Sequence, residues 1–338
     1  MCSPGIGSFI CNGIHPSGVS GRPGRHTDLP LQTYLRWYLM NKKVQYGGMA
    51  VIEGVMMRGP EKIAVAVRKT DGNIEVEKEP VSNLPVRYPF LKWPFLRGTY
   101  VLIDSMVVGM RMLNKSANMS LNEEEEELSA GEIFITGLLA FVLAILLFVV
   151  LPTAIVHYTS QFLGGVLIQN IVEGIIRIFF FLAYVWAIGR MQEIDRVFMY
   201  HGAEHKSIFT YEAGEELTVE NTSKYTTLHP RCGTSFILIV LIISILVFAL
   251  LGEGNLFYRI WSRIAVLPII AGLGYEFLKF SGKYYNNRWA RILIAPGLYL
   301  QKLTTREPDD SQLEVAIAAL KAVIPGEKTE DCVEIAKG

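Results

Sequence analysis

Long apolar runs alternate with short polar ones through the middle of this chain. Four segments approach or exceed the roughly 20 apolar residues a helix needs to cross a bilayer: Ile133 to about Val156, Val166 to Ile188, about Thr234 to Leu251, and Ile260 to Phe280. Within the second, Glu173 and Arg177 stand four apart beside Gln169 and Asn170, which predicts an internal ion pair on one helix face. In the fourth, Pro268 and the Gly272/Gly274 pair suit a helix packed closely on its neighbours.

Before the spans the period changes. Lys62–Lys69 and Ile74–Glu79 read as strands joined at Asp71-Gly72, and Val65 and Val67 alternating with Ala64, Ala66 and Arg68 suit a half-buried sheet. Phe95–Asn118 predicts a helix that Arg97, Asp104 and Arg111 make interfacial or protein-packed rather than a span. Glu123 to Glu127 form a solvated linker or cap. After the spans, Ser311 and Glu314 have capping-box spacing and open a helix over Gln312–Val323. Its stripe of Leu313, Ala316, Ile317 and Leu320 is suited to dock on the soluble part.

The chain thus divides into a disordered extension (1–43), a β-hairpin domain with an interfacial helix (44–120), a four-helix membrane domain with an insertion at 190–233 (121–305), and a C-terminal helix and tail (306–338). The extension is rich in Gly, Pro and Ser and has no apolar signal core, so it reads as an over-extended start upstream of Met40. Its Cys2, Cys11, His15 and His26 match no zinc template.

Composition sharpens this to a mainly α integral membrane protein with a small β-containing domain. Apolar residues reach 51% against 19% charged, and mean hydropathy is +0.31, outside the soluble class. Net charge is zero and no basic stripe with interleaved aromatics occurs, which excludes nucleic acid as a partner and leaves the lipid bilayer and a substrate. Four scattered cysteines fit a reducing compartment. The connection His157–Gly165 carries no Lys or Arg, whereas Arg190, Arg196, Lys206, Lys224 and Arg231 follow the second span and Lys279, Lys283, Arg288 and Arg291 the fourth. Both termini and the insertion therefore face the cytoplasm, against the weaker pull of Arg259 and Arg263.

Candidate chemistry concentrates in Arg190–Phe236. The second span reads as continuing past Arg190, with Ile194, Val197, Phe198, His201, His205 and Ile208 at helical spacing. His201 and His205, four apart, can reach one divalent metal ion, and Glu204 is placed to act as general base. The wording His201-Gly-Ala-Glu204-His205 is the H-x-x-E-H of inverzincins. His229 precedes a proline in extended backbone, and Cys232 stands at a helix start that favours a thiolate. One or both would complete a His/Cys ligand set suited to zinc. Four protein ligands would make the site structural; an open position would make it catalytic. A second reading makes Cys232 a nucleophile with His229 or His205 as its base. Glu53, between Gly-rich flanks, and Glu276, near the exit of the fourth span, are supporting or alternative ligand candidates; Glu53 reads equally well as a structural group.

Tyr46-Gly-Gly-Met-Ala-Val-Ile-Glu-Gly-Val-Met-Met-Arg-Gly-Pro60, Tyr200-His-Gly-Ala-Glu-His-Lys206, Leu217-Thr-Val-Glu-Asn221 and His229-Pro-Arg-Cys-Gly-Thr-Ser-Phe236 carry a resemblance. Arg306-Glu-Pro-Asp-Asp310 and Leu313-Glu-Val-Ala-Ile-Ala-Ala-Leu320 carry it further. With these motifs the stretch from about 44 to 325 resembles the YqhQ-like bacterial membrane family, a domain of unknown function. The resemblance implies a multi-pass protein of the bacterial inner membrane that looks like a predicted metal-dependent enzyme, and it supplies no substrate. The expectation is a metal-dependent hydrolase at the cytoplasmic interface acting on a peptide, lipid or other interfacial substrate. Its rival is a membrane adaptor or transport-associated protein with a structural metal, in which Glu173, Arg177 and Glu276 matter more.

Overall fold

The computed structural model describes residues 46–82, 84–93, 96–120, 130–252, 254–283, 288–325 and 333–334; the extension 1–43 and the acidic run Glu123–Glu127 lie outside them. Strands Gly47–Val51 (β1), Gly54–Arg58 (β2), Lys62–Arg68 (β3) and Ile74–Pro80 (β4) form an antiparallel meander, and Val333–Glu334 (β5) pairs parallel to β4. Helices Leu96–Ser120 (α1), Ala130–Ile145 (α2), Leu151–Thr159 (α3), Val166–Ile188 (α4) and Gln192–Ala213 (α5) follow. Then come Val219–Thr222 (α6), Gly233–Ala249 (α7), Leu256–Ala265 (α8), Leu267–Lys283 (α9), Arg288–Thr304 (α10) and Asp310–Val323 (α11).

The β3–β4 hairpin closes at Asp71-Gly72 as its residues dictate, with Gly72 at φ +88°. The β1–β2 hairpin has no such sequence signal. It turns at Ile52-Glu53, with Glu53 at φ +49°, a conformation few side chains adopt. A half-buried sheet is the wrong expectation, because both faces are covered. Ile63, Val65 and Val67 join Val51 and Met56 against Val108, Met112 and Met119 of α1. Ala64 and Ala66 face the other way with Val55, Met57 and Val76, onto α11 and α5. Alanines on that face let the helices approach closely, giving three layers.

Helix α11 is enclosed on nearly all sides. Val315, Ala318, Ala319, Ala322 and Val323 are buried beside the expected stripe, since the helix lies between the sheet and α5. Burying Leu313, Ile317 and Leu320 contributes about 1.5–3 kcal/mol each. Its cap is Asp309 rather than Ser311: Asp309 accepts the Gln312 N–H at 2.9 Å, and the Gln312 side chain accepts the Asp309 N–H at 3.0 Å.

Among the described residues, two helical stretches are long and apolar enough to cross a membrane: Phe134–Phe162, through α2, a π-helical turn at Leu146–Val150 and α3, and Val166–Ile188. They associate the chain with a membrane. A third exists if α8 and α9 count as one element, but it is bent by 43°. Pro268 lacks the N–H that a straight helix would place on Ile264, so the break falls at Val266. The expected third span, α7, has 17 residues and so is about 25 Å long, short of the roughly 30 Å apolar layer. The four-span expectation thus reduces to two or three by length. Nor does the second span run on into the helix that carries the histidines: α4 stops at Gly189, and α5 starts afresh after Met191 in extended backbone.

Candidate metal centre

Helix α5 starts with Glu193 and Asp195 in its first turn, where the helix dipole favours acids, and ends at Gly214 with φ +72°. Its middle is buried because α11, the sheet and the loop after α6 surround it. His201 and His205 stand one turn apart there, ring centroids 4.4 Å from each other. His201 Nδ1 lies 2.8 Å from the Thr304 carbonyl, and His205 Nδ1 bonds the Thr227 carbonyl. A carbonyl only accepts, so both protons sit on Nδ1 and both Nε2 atoms present a lone pair. Cys232 is the N-cap of α7. Its Sγ accepts from the Thr234 N–H at 3.4 Å and lies 3.2 Å from His201 Nε2. Ligand-type atoms of His201, His205 and Cys232 all fall within 4.8 Å of one another.

This donor set fits zinc. Around a tetrahedral ion with Zn–N near 2.05 Å and Zn–S near 2.3 Å, nitrogen and sulfur sit about 3.5 Å apart. The 3.2 Å pair needs to open by only a few tenths of an ångström. Backbone carbonyls on both Nδ1 atoms supply the orienting contacts that metal-bound histidines ordinarily have.

The electrostatics follow from burial. Burial lowers His205 to about 4, with the neighbouring His201 acting the same way, so the ring is neutral near pH 7. Burial pushes the Cys232 thiol up, but His205, the Thr234 hydroxyl and the Thr234 N–H outweigh it, leaving the thiol below its ordinary value. Glu204 lies outside the three-atom group. Its Oε1 accepts the Gly48 N–H of β1 at 3.1 Å, and burial, aided by Cys232, raises its carboxyl to about 7. A glutamate poised there can take or give a proton near neutrality.

His229 lies beside the cluster, its ring centroid 5.5 Å from that of His205, but outside the three-atom group, with its Nε2 buried and not hydrogen-bonded. Its Nδ1 accepts the Arg231 N–H at 3.3 Å, and its Nε2 is 3.8 Å from Glu212, which pairs with Arg231. The buried Gln301 amide clamps it, accepting the His229 N–H and donating to the His229 carbonyl, both at 2.8 Å. Glu53 and Glu276 are elsewhere. Glu53 receives a two-pronged contact from Arg196 and a 3.3 Å hydrogen bond from the Tyr200 hydroxyl; Glu276 pairs with Arg97 of α1. The thiol lies 3.2 Å from His201 Nε2, and His205 also acts on it, so two imidazoles flank the sulfur that the nucleophile reading pairs with His205 or His229.

Several groups that build the site carry no motif. The carbonyls of Thr227 and Thr304 and the N–H of Gly48 are backbone atoms, invisible to residue-type reasoning. Gln301, a lone amide among the apolar residues of α10, was the one legible sign. Gly202 is needed for close approach: a Cβ there would lie 2.1 Å from the Arg306 carbonyl, so only glycine lets that segment reach His201. An open groove of about 530 Å³, lined by Thr226, Thr227, Leu228, Lys302, Thr305, Arg306 and Glu307, borders the segments that hold the two histidines.

Residues 93–326 match the family described as "Protein of unknown function (DUF1385)". The chain is 35% identical over 292 residues to "Uncharacterized protein YqhQ" of Bacillus subtilis (strain 168), covering 82% of this chain and 92% of that relative. No solved structure matches. The resemblance drawn from the motifs therefore stands, and this chain belongs to the DUF1385 family, similar to YqhQ over most of its length.

Proposed function

We propose that the chain is a metal-dependent hydrolase of the bacterial inner membrane, with zinc held by His201, His205 and Cys232 on the cytoplasmic side. One observation carries the reading: ring nitrogens of His201 and His205 and the Cys232 thiol lie within 4.8 Å of one another, while each Nδ1 contacts a backbone carbonyl. With His229 turned to Arg231 and Glu212, three protein ligands leave a fourth position, the catalytic pattern for zinc. Zinc held there would supply Lewis acidity and would lower the pKa of a water to near neutrality. Glu204, titrating near 7, exchanges the proton; Gly48 orients its carboxylate; Thr227 and Thr304 hold the rings. The polar groove beside them suits a charged or polar part of a peptide, lipid or other interfacial substrate. In the membrane, α7 and the bent α8–α9 pair complete four spans, α7 by local thinning of the bilayer, with both termini cytoplasmic by the Lys/Arg bias.

The rival reading keeps the metal and drops the chemistry. All three residues bridge α5 and the start of α7, so an ion could simply pin the cytoplasmic layer to the membrane helices. X-ray absorption on the purified protein separates the two: three protein donors plus one solvent position supports the hydrolase, and four protein donors supports the rival. A Glu204→Gln protein should stay folded and metal-loaded yet lose hydrolysis across a panel of peptide, phospholipid and phosphoester substrates. Unchanged turnover of a substrate that the wild type cleaves would end the hydrolase reading.

A further inference from the structure

A second cluster of ionisable groups lies within the membrane domain, apart from the metal centre. Glu173 of α4 is buried with Arg177 four residues on and with Arg263 of α8; each of the three is under 5% exposed. Arg177 reaches one Glu173 oxygen at 2.9 Å, and Arg263 grips both carboxylate oxygens. The Thr153 hydroxyl donates to the same carboxylate at 2.9 Å, so its Oε1 receives three hydrogen bonds and its Oε2 one. Arg177 Nε donates to Phe148 O at 2.8 Å, inside the π-helical turn of the first span. The guanidiniums lie 4.7 and 5.3 Å from the Phe248 ring centroid.

Within this cluster one carboxylate meets two guanidiniums, one positive charge more than the carboxylate balances. An unbalanced buried charge costs several kcal/mol. Donors are in surplus as well. Each guanidinium carries five N–H groups. The acceptors facing Arg263 are Glu173, Asn170 Oδ1 and the Arg259 carbonyl, and those facing Arg177 are Glu173, Phe148 O and a distant Ser244 hydroxyl at 3.5 Å. N–H groups remain on both. Asn170, 2% exposed, gives its oxygen to Arg263 at 3.0 Å, which fixes the amide's orientation, and its Nδ2 is left with no partner. Net positive charge, spare guanidinium N–H groups and an orphaned buried amide N–H all call for the same complement.

We propose that Arg177, Arg263 and Asn170 bind a small monovalent inorganic anion, of chloride size, inside the membrane domain. Depth selects the source. Glu173, the residue both arginines share, lies seven residues inside α4, about 10 Å along it, and is 1% exposed, which favours a free ion over a bulky lipid phosphate. Placement suggests a working site rather than a passive one: the cluster joins the π-helical turn to the element broken at Val266, three residues after Arg263, and such irregular helices are where membrane proteins place ion sites.

The full chain in nanodiscs of neutral phosphatidylcholine provides the test. Equilibrium binding of radioactive chloride should saturate at one ion per chain, displaced by bromide and nitrate but not by bulky gluconate. Thermal unfolding should shift upward in chloride relative to gluconate at equal ionic strength. Arg263→Gln, which leaves Glu173 and Arg177 as a neutral pair, should lose both effects. Asn170→Leu, which removes only an amide, should weaken binding about tenfold or more while the fold persists. Absence of saturable chloride binding in the wild type would overturn the proposal whatever the variants do, and so would binding unchanged in folded Asn170→Leu and Arg263→Gln proteins.

Discussion

Gly202→Ala tests whether the segment after α10 holds the metal site together. The added Cβ would sit 2.1 Å from the Arg306 carbonyl, where real Cβ atoms keep at least 3.0 Å, so α5 and this segment must part by about 0.9 Å. The obstacle is backbone and cannot swing aside. Two hydrogen bonds cross the gap: Arg306 N–H to Phe198 O at 2.9 Å and His201 Nδ1 to Thr304 O at 2.8 Å. Both would stretch to about 3.7 Å, beyond bonding range. Losing them costs about 0.5–1.5 kcal/mol each, and overpacking adds about 1–3 kcal/mol. Thermal unfolding in detergent should therefore fall by on the order of 5–10 °C. Freed from its carbonyl, His201 should also bind zinc about 10–100-fold more weakly, read by competition with a fluorescent chelator. A variant that melts with the wild type and binds zinc equally would refute the reasoning.

Three further outcomes follow from the geometry. In the metal-free protein, Glu204 and His205 oppose each other. Raised from 4.5 to about 7, Glu204 removes stability as pH climbs through that window, while His205, lowered from 6.5 to about 4, adds stability as pH rises from 4 to 6.5; each amounts to about 3 kcal/mol. Unfolding free energy, to which buried His229 contributes with the same sign as His205, should thus rise more steeply with pH in Glu204→Gln than in the wild type and less steeply in His205→Asn; parallel profiles in all three would refute the assignments. Leu320→Ala, at a fully buried position in the core formed by α11, α5 and the sheet, should lose about 2–5 kcal/mol in urea unfolding. Glu53→Gln breaks a partly exposed pair with Arg196 and should change stability by less than about 1 kcal/mol with zinc content intact; loss of zinc would return Glu53 to the site.

Periodicity located the elements that bury one kind of surface. Val166–Ile188, mainly apolar despite Gln169, Asn170, Glu173 and Arg177, emerges with the bounds its text implies, and the Asp71-Gly72 hairpin is set by local turn chemistry. What sequence could not show depends on partners far along the chain. Glu53 occupies a left-handed turn, and no local signal announces β1 and β2, which are held by tertiary pairing to β3. The sheet looked half-buried because alternation of Val and Ala reads as inside and outside, whereas here it separates two buried faces of different depth. Among the candidate ligands, His201 and His205 were legible together from their spacing, and Cys232 from its place before an apolar helix. That Cys232 rather than His229 joins them was not legible, because it depends on where the His229 ring settles: its Nε2 lies 3.8 Å from Glu212, outside the three-atom group. The extra guanidinium at Glu173 was likewise out of sight, because Arg263 is ninety residues away in sequence.

The most direct test of the metal centre is elemental analysis of the purified wild type beside a His201→Ala/His205→Ala variant. About one zinc per wild-type chain and almost none in a variant that still folds is the predicted result. Equal, near-zero metal in both proteins would contradict the account.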